Sequence, residues 1–448
     1  MNLTFCGGTG QVTGSNYLLE TGRHKVLVDC GLFQGGSFAG EENYKPFPYD
    51  PKKIEAVFVT HAHLDHVGRI PKLYREGFRG KVYSTPATRD CAELILLDSE
   101  RLMCQEASRH GHEEFCTTGT VEQVMRLWHG VEYGQDLQHG EFFARFSDAG
   151  HILGSSSIAI RAEGKTIVFS GDIGNYPAPI IRPTQLPKGA DFVVMESTYG
   201  ADTHDPQETR KQVLEEVIKE TVSRGGVLMI PSFALERTQD LLYHLNELFA
   251  EGRIPRVPVF LDSPLAIRLT AVYHKYRRYF NEEASALIAH GDDIFNFPGL
   301  HLTLTSELSK AINDVPSPKI IIAGSGMSHG GRILHHERRY LPDPNSTILF
   351  IGYQAVGSLG RRIMEGAKEV GIFGDPIEVN ATTRSITSYS AHADRAKLLA
   401  WIGSTKETVK HVFVTHGEED RSASLAASIR DELGLNAVVP AMGDTVTL

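Results

Sequence analysis

The chain has 448 residues, 41% of them hydrophobic and 22% charged, an ordinary globular composition with room for two or three domains. Its 55 acidic and 45 basic residues give a net charge of −10, which argues against a surface that grips nucleic acid everywhere but not against a local basic groove. No apolar run reaches the roughly 18 residues of a bilayer span, and residues 1–7 lack a basic segment followed by an apolar one, so a cytoplasmic protein with no membrane contact is expected.

The first 200 residues read as short apolar strands separated by glycine-rich turns, at 15–20, 25–29, 56–60, 157–161, 166–170 and 192–196. Gly8-Thr9-Gly10-Gln11-Val12-Thr13-Gly14 is followed by a strand pattern rather than a helix. That excludes a dinucleotide-binding loop and suggests a turn at the rim of a site. A helix is predicted over 88–105, with Cys91, Leu94, Ile95, Asp98 and Leu102 near one face. The five cysteines (Cys6, Cys30, Cys91, Cys104 and Cys116) form no CxxC pair, which favours free thiols in a reducing compartment. Chemically loaded residues recur where strands end: Asp29, His61, Asp172 and Glu196.

The pattern changes near residue 205. Asp205-Pro206 reads as a helix N-cap with proline at the first turn, and Val213, Leu214, Val217, Ile218 and Val222 continue the helix to Gly225-Gly226. Strands at 227–231, 257–261, 319–323 and 347–352 then alternate with helices at 238–251 and 264–280. Such alternation predicts a doubly wound, mostly parallel α/β unit. From about 380 the first style returns. Phe58-Val59-Thr60-His61 is repeated as Phe413-Val414-Thr415-His416, as if two related halves of one sandwich each offer a strand-end histidine. The expected organisation is one discontinuous domain, 1–205 with 380–448, interrupted by a second at 206–379.

His61-Ala62-His63-Leu64-Asp65-His66 places three imidazoles and a carboxylate in six residues. Zinc and similar ions take such groups as ligands, and satisfying them otherwise needs many hydrogen-bond partners in one place. A hydrolytic two-metal site also needs a bridging carboxylate and further ligands. His151, Asp172 and His416, each beside a glycine, are the candidates.

The order of these residues resembles the metallo-β-lactamase superfamily, whose pattern is HxHxDH followed by a distant His, Asp and His. The resemblance implies an αββα sandwich with two Zn2+. His61, His63 and His151 would hold one ion; Asp65, His66 and His416 the other; Asp172 would bridge, and Asp29 would orient a ligand from behind. A narrower resemblance is to the β-CASP nucleases, the branch that includes the RNA 3′-end-processing endonuclease and ribonuclease J. It rests on Glu196 in Met195-Glu196-Ser197-Thr198-Tyr199-Gly200, His392 in Ser390-Ala391-His392-Ala393-Asp394, and His416. Pro231-Ser232-Phe233-Ala234, Asp262-Ser263-Pro264, Gly324-Ser325-Gly326-Met327 and Gly352-Tyr353-Gln354 add to it. DNA-acting members usually carry valine where His392 stands, so single-stranded RNA is the implied substrate. The chain shows no counterpart of the KH modules of archaeal members or of the long C-terminal domain of ribonuclease J, so a compact homologue is implied.

The reaction implied is two-metal hydrolysis of a phosphodiester, with Asp65 or Asp172 orienting the attacking water. His392, paired with Glu196, would protonate the leaving oxygen, since a neighbouring carboxylate favours the protonated imidazole. The glycine-rich run Gly324, Ser325, Gly326, Met327 follows a strand and offers backbone N–H groups to phosphate. Arg332, Arg361, Arg362, Lys275, Arg277 and Arg278 are scattered basic candidates. By analogy a homodimer is expected. The competing readings are a 5′-exonuclease, a zinc hydrolase of small esters or lactams, and a non-catalytic RNA-binding subunit. An inserted domain suits a polymer better than a small substrate, and degenerate ligands would be expected of the last.

Overall fold

The computed structural model describes residues 1–35, 40–204, 209–352, 354 and 357–448, without the side chains of 101, 105, 106, 109 and 110. The expected cap at Asp205-Pro206, and Tyr353 of the Gly352-Tyr353-Gln354 segment, lie outside the described residues. The chain forms two compact units: Met1–Tyr176, Arg182–Thr203 and His392–Leu448 make the first, Pro177–Ile181 and His204–Ala391 the second.

The first unit holds two seven-stranded sheets built on one plan, half antiparallel and half parallel. One runs in the order Thr445–Thr447, Asn2–Gly7, Asn16–Glu20, Lys25–Val28, Ala56–Phe58, Lys81–Ser84, Trp128–Gly130. Its pairings are antiparallel as far as Lys25–Val28 and parallel beyond. The other runs Ala437–Val438, His411–Val414, Phe192–Met195, Lys165–Phe169, Ser156–Ala162, Phe142–Asp148, Asp136–His139. There the first three pairings are parallel and the last three antiparallel. Phe58 and Phe413, the starts of the repeated tetrapeptides, thus sit in parallel portions of opposite sheets.

Alternation drives the packing. Phe142–Asp148 buries every second side chain, as a strand with one wet face must. Phe5, Leu19, Val28 and Phe58 of one sheet join Phe142, Phe146, Ile158, Phe169, Val194 and Phe413 of the other in a continuous core, each buried side chain stabilising by roughly 1.5–3 kcal/mol. Helices Arg395–Gly403 and Glu419–Leu433 cover the second sheet's other face, where Leu398, Trp401, Leu425 and Ile429 pack with Val193, Met195, Val412 and Val414. Helix Pro86–His110 is longer than its predicted 88–105. Thr85 accepts from the Thr88 N–H, Pro86 opens the first turn, and Gly111 ends it at φ 69°.

The second unit is built on a six-stranded sheet in the order Leu300–Leu302, Val259–Asp262, Lys319–Ala323, Val227–Pro231, Thr347–Ile351, Thr382–Ile386. Every pairing is parallel. Lys319–Ala323 and Thr347–Ile351 are buried throughout, which is why their sequences read as unbroken apolar runs. Thr382–Ile386 carries this sheet past residue 380. The helix predicted over 264–280 is Pro264–Lys275 followed by a separate tight turn, Arg277–Tyr279. Among the described residues no helix is long and apolar enough to cross a membrane.

Candidate metal centre

All nine candidate ligands and catalytic residues belong to the first unit. Most lie on loops just past its strands, Asp65 and His66 lie in the short helix Leu64–Val67, and His392 follows the turn Thr387–Tyr389. Two close backbone approaches make this convergence possible. A Cβ at Gly31 would lie 1.6 Å from the Asp65 carbonyl oxygen, and one at Gly174 would lie 1.7 Å from that of Gly150. Only glycine lets the loop after Lys25–Val28 pass the Asp65 turn, and lets the loop after Asp172 pass the one bearing His151.

Ligand atoms of His61, His63, His151 and Asp172 lie within 4.8 Å of one another, as do those of Asp65, His66 and His416. Asp172 joins the two groups. Its Oδ2 is 3.3 Å from His61 Nε2 and 3.5 Å from His151 Nε2, while its Oδ1 is 3.3 Å from His66 Nε2 and 3.4 Å from His416 Nε2. Asp65 Oδ2 stands 3.8 Å from His416 Nε2, and His63 Nδ1 is 3.1 Å from His61 Nε2 and 3.3 Å from His151 Nε2.

Three imidazoles are turned by partners behind them. Asp29 Oδ2 meets His66 Nδ1 at 2.7 Å, the Thr60 hydroxyl lies 3.1 Å from His61 Nδ1, and the Ser15 hydroxyl 2.9 Å from His416 Nδ1. Asp29 is itself held by the Thr60 N–H and hydroxyl, both donating at 2.8 Å. Each partner occupies Nδ1, so Nε2 faces Asp172. Asp29 and His416 take left-handed backbone, φ 57° and 49°, a conformation uncommon outside glycine and concentrated at functional sites.

The electrostatics of the pocket call for cations. Burial, then the neighbouring His66, pulls the His61 pKa down to about 4. Burial and His392 hold His151 well below the usual imidazole value. Both rings are therefore neutral and keep a lone pair. Burial also opposes charge on His66, but Asp172 and Asp29 on its two sides overcome it and push the pKa well above normal. Asp172 is likewise held well below the usual carboxylate range, despite burial, by His416, His66 and His61. His66 Nε2 and Asp172 Oδ1 are buried without a hydrogen-bond partner among the described residues. A buried donor set left unsatisfied costs roughly 1–3 kcal/mol per group; coordination to a metal removes that cost, so these residues fit a metal centre.

Glu196 and His392 stand beside it. Glu196 ends the strand Phe192–Met195, is 1% exposed, and accepts hydrogen bonds from the Ile173 and Thr198 N–H groups. Both its carboxylate oxygens lie 3.3 Å from His392 Nδ1. The same nitrogen is 3.9 Å from Asp172 Oδ2, and the His392 ring centre is 4.5 Å from that of His151. With a side chain 19% exposed, His392 is more open than the buried candidate ligands His61, His66, His151 and His416.

The glycine-rich Gly8–Gly14 turn borders this centre: Gly8 O accepts the His416 N–H at 2.6 Å, and the Ser15 N–H donates to Asp65 O at 2.9 Å. Ser15 and Thr60, which aim two of the ligands, escaped the sequence reading. The available signal was their position, one directly before His61 and the other directly after the Gly14 turn.

Gly324, Ser325, Gly326, Met327, Arg332 and Arg361 lie in the second unit. The Ser325 hydroxyl accepts the His329 and Gly330 N–H groups at 3.0 and 3.2 Å, so part of the loop's donor capacity closes the loop itself. Arg332 donates to Asp262 Oδ1 and Thr303 O, both at 2.7 Å. That guanidinium is spent inside the fold. Arg361 pairs with Glu365 one helical turn on, at 2.7 Å.

Comparison with known proteins agrees with this architecture. Residues 9–217 match the metallo-beta-lactamase superfamily, 238–363 the Beta-Casp domain, and 376–440 the Zn-dependent metallo-hydrolase RNA specificity domain. Ribonuclease TTHA0252 of Thermus thermophilus is 41% identical over 95% of both chains. The RNase J-like protein of Methanocaldococcus jannaschii is 32% identical over 98% of both. Transcription termination factor FttA of Methanosarcina mazei is 32% identical over 100% of this chain and 72% of its own length. A crystal structure of a protein of unknown function from Enterococcus faecalis aligns over 100% of this chain and 99% of its own, with TM-score 0.57 and 14% identity, a likeness of fold alone.

Proposed function

Because the chain belongs to the β-CASP branch of the metallo-β-lactamase superfamily and is a metal-dependent hydrolase, we propose that it is a ribonuclease that cuts single-stranded RNA internally, holding two zinc ions. The observation that carries this reading is the division of Asp172 between two sets of imidazoles, with the Glu196–His392 pair 3.9 Å away. His61, His63 and His151 would hold one ion, Asp65, His66 and His416 the other, with Asp172 shared. When bound, such ions offset phosphate charge and ionise an attacking water.

The remaining work falls to the protein. Asp29, Ser15 and Thr60 keep the ligand nitrogens pointed inward. Asp65 or Asp172 accepts a hydrogen bond from the attacking water and orients it. Glu196, fixed by two backbone donors, receives the His392 Nδ1–H, and His392 delivers a proton from Nε2 to the leaving oxygen. The archaeal relatives named as termination factors favour one second reading, in which the same cut falls on a nascent transcript. A homodimer remains part of the proposal, to be tested by light scattering.

The test is to incubate zinc-loaded protein with labelled single-stranded RNA, single-stranded DNA and a thioester, then map RNA ends on substrates with 5′ triphosphate, monophosphate and hydroxyl. Internal cuts in RNA, indifferent to the 5′ group, are expected. Stepwise 5′ loss dependent on a monophosphate would replace the endonuclease by an exonuclease, and thioester turnover without RNA cleavage would sink the ribonuclease reading.

A further inference from the structure

His392 is the first residue after the second unit ends at Ala391, and a buried cluster fastens the chain just before it. Arg210 opens the helix Arg210–Ser223 and is 4% exposed. Its Nη2 donates to the Ser388 carbonyl, and its guanidinium carbon lies 5.1 Å from the Tyr389 ring centre. Tyr389 is fully buried, and its hydroxyl meets His244 Nδ1 at 2.7 Å. Asp240, one helical turn before His244 and 5% exposed, is the buried carboxylate that faces Arg210 and Arg237.

Burying a guanidinium costs several kcal/mol unless charge, hydrogen bonds and a π face compensate it. Here Asp240, the Ser388 carbonyl and the Tyr389 ring each offset part of that cost, although Arg210 Nε has no hydrogen-bond partner among the described residues. What the guanidinium grips is the tight turn Thr387–Tyr389. Three residues later comes His392. On its other side the Ala393 N–H donates to Ile173 O at 2.8 Å, and Asp394 caps the helix Arg395–Gly403 by accepting the Lys397 N–H at 3.1 Å. Along the chain, His392 thus follows the Tyr389 turn and precedes the Ala393 and Asp394 hydrogen bonds.

We propose that Arg210, acting through the Tyr389 turn together with His244, is a positioning residue that fixes where His392 stands. The proposal rests on the reading of His392 as the proton donor. A proton donor must sit within hydrogen-bond reach of the leaving oxygen, and a displacement of about 1 Å can cost on the order of a hundredfold in rate.

A double-mutant cycle on the zinc-loaded full chain tests it, reading kcat, KM and zinc content on single-stranded RNA. Arg210→Ala is expected to lower kcat by about tenfold or more, with zinc content unchanged and KM moved by less than about threefold. In a His392→Ala background the same substitution is expected to change kcat by less than about twofold. Tyr389→Phe keeps the ring beneath the guanidinium, removes only the bond to His244, and carries the same cycle if Arg210→Ala does not fold. An equal loss in both backgrounds, or wild-type kcat in both variants, overturns the proposal. Wild-type kcat in His392→Ala alone defeats the proton-donor reading beneath it, and needs no Arg210 variant to be seen.

Discussion

Within the centre, residues divide by whether they touch a metal or aim something that does, and the two kinds should fail differently. His392 holds no expected ligand position, so His392→Ala should keep its full zinc content while kcat on RNA falls by about 10²–10⁴-fold. Full metal with full activity would remove its role. Asp29 touches no metal position either, but it meets His66 Nδ1 at 2.7 Å. Asp29→Ala should therefore weaken metal binding by about 10–100-fold, measured by competition with a chelator; unchanged affinity would mean that Thr60 alone suffices to hold the ring. The ligands were legible because they are clustered, flanked by glycine and rich in an uncommon residue type. Ser15 and Thr60 were not, because a hydroxyl beside a turn reads the same whether it closes the turn or aims a histidine.

Among the elements, strand ends and their crossing loops set the geometry. Gly174→Ala puts a methyl group 1.7 Å from the Gly150 oxygen, so the loop bearing His151 or the one bearing Asp172 must move. We expect a stability loss of about 1–3 kcal/mol with loss of zinc, read by denaturant unfolding and metal analysis; a variant that keeps both would show that the loops yield. Strands of the parallel sheet were readable as apolar runs, since both faces are covered. Ile333–Tyr340, Leu359–Met364 and Glu419–Leu433 were not recognised as helices, because each is short or heavily charged and takes its stability from the sheet beneath. Thr382–Ile386 misled for a related reason: its burial is partial and broken, so its composition looks like the flanking domain although its partner is Thr347–Ile351.

For the whole molecule, buried acids contribute a pH dependence: burial raises Asp148 to about 7, Asp240 to about 6 and Glu337 to about 8. Glu337 is 0% exposed and, among the described residues, has only the Ser328 hydroxyl on Oε1; burial lifts its pKa from 4.5 to about 8. A carboxyl raised on folding binds more protons folded than unfolded. Its contribution to stability is full below pH 4.5 and is lost as pH rises to about 8. Glu337→Gln should flatten the decline between pH 5 and 8, measured by urea unfolding at several pH values; an equally steep decline would exclude Glu337 as its source. Long-range pairing is the part no local pattern discloses. Nothing in residues 445–447 announces that they lie beside Asn2–Gly7.

That pairing, and the place of His416 in the centre, give the order of synthesis a meaning. When a ribosome has made the first 200 residues, the HxHxDH cluster, His151 and Asp172 already exist, yet the second group lacks its last imidazole. Both sheets that carry them also lack strands made later, Thr445–Thr447 in one and His411–Val414 with Ala437–Val438 in the other. The inserted unit, whose strands all lie between 227 and 386, can close on itself meanwhile. At about 5–20 residues per second the hydrolytic centre stays incomplete for many seconds, until His416 emerges. On the proposed reading, a growing chain tethered beside its own messenger would stay inert toward RNA until His416 has been added.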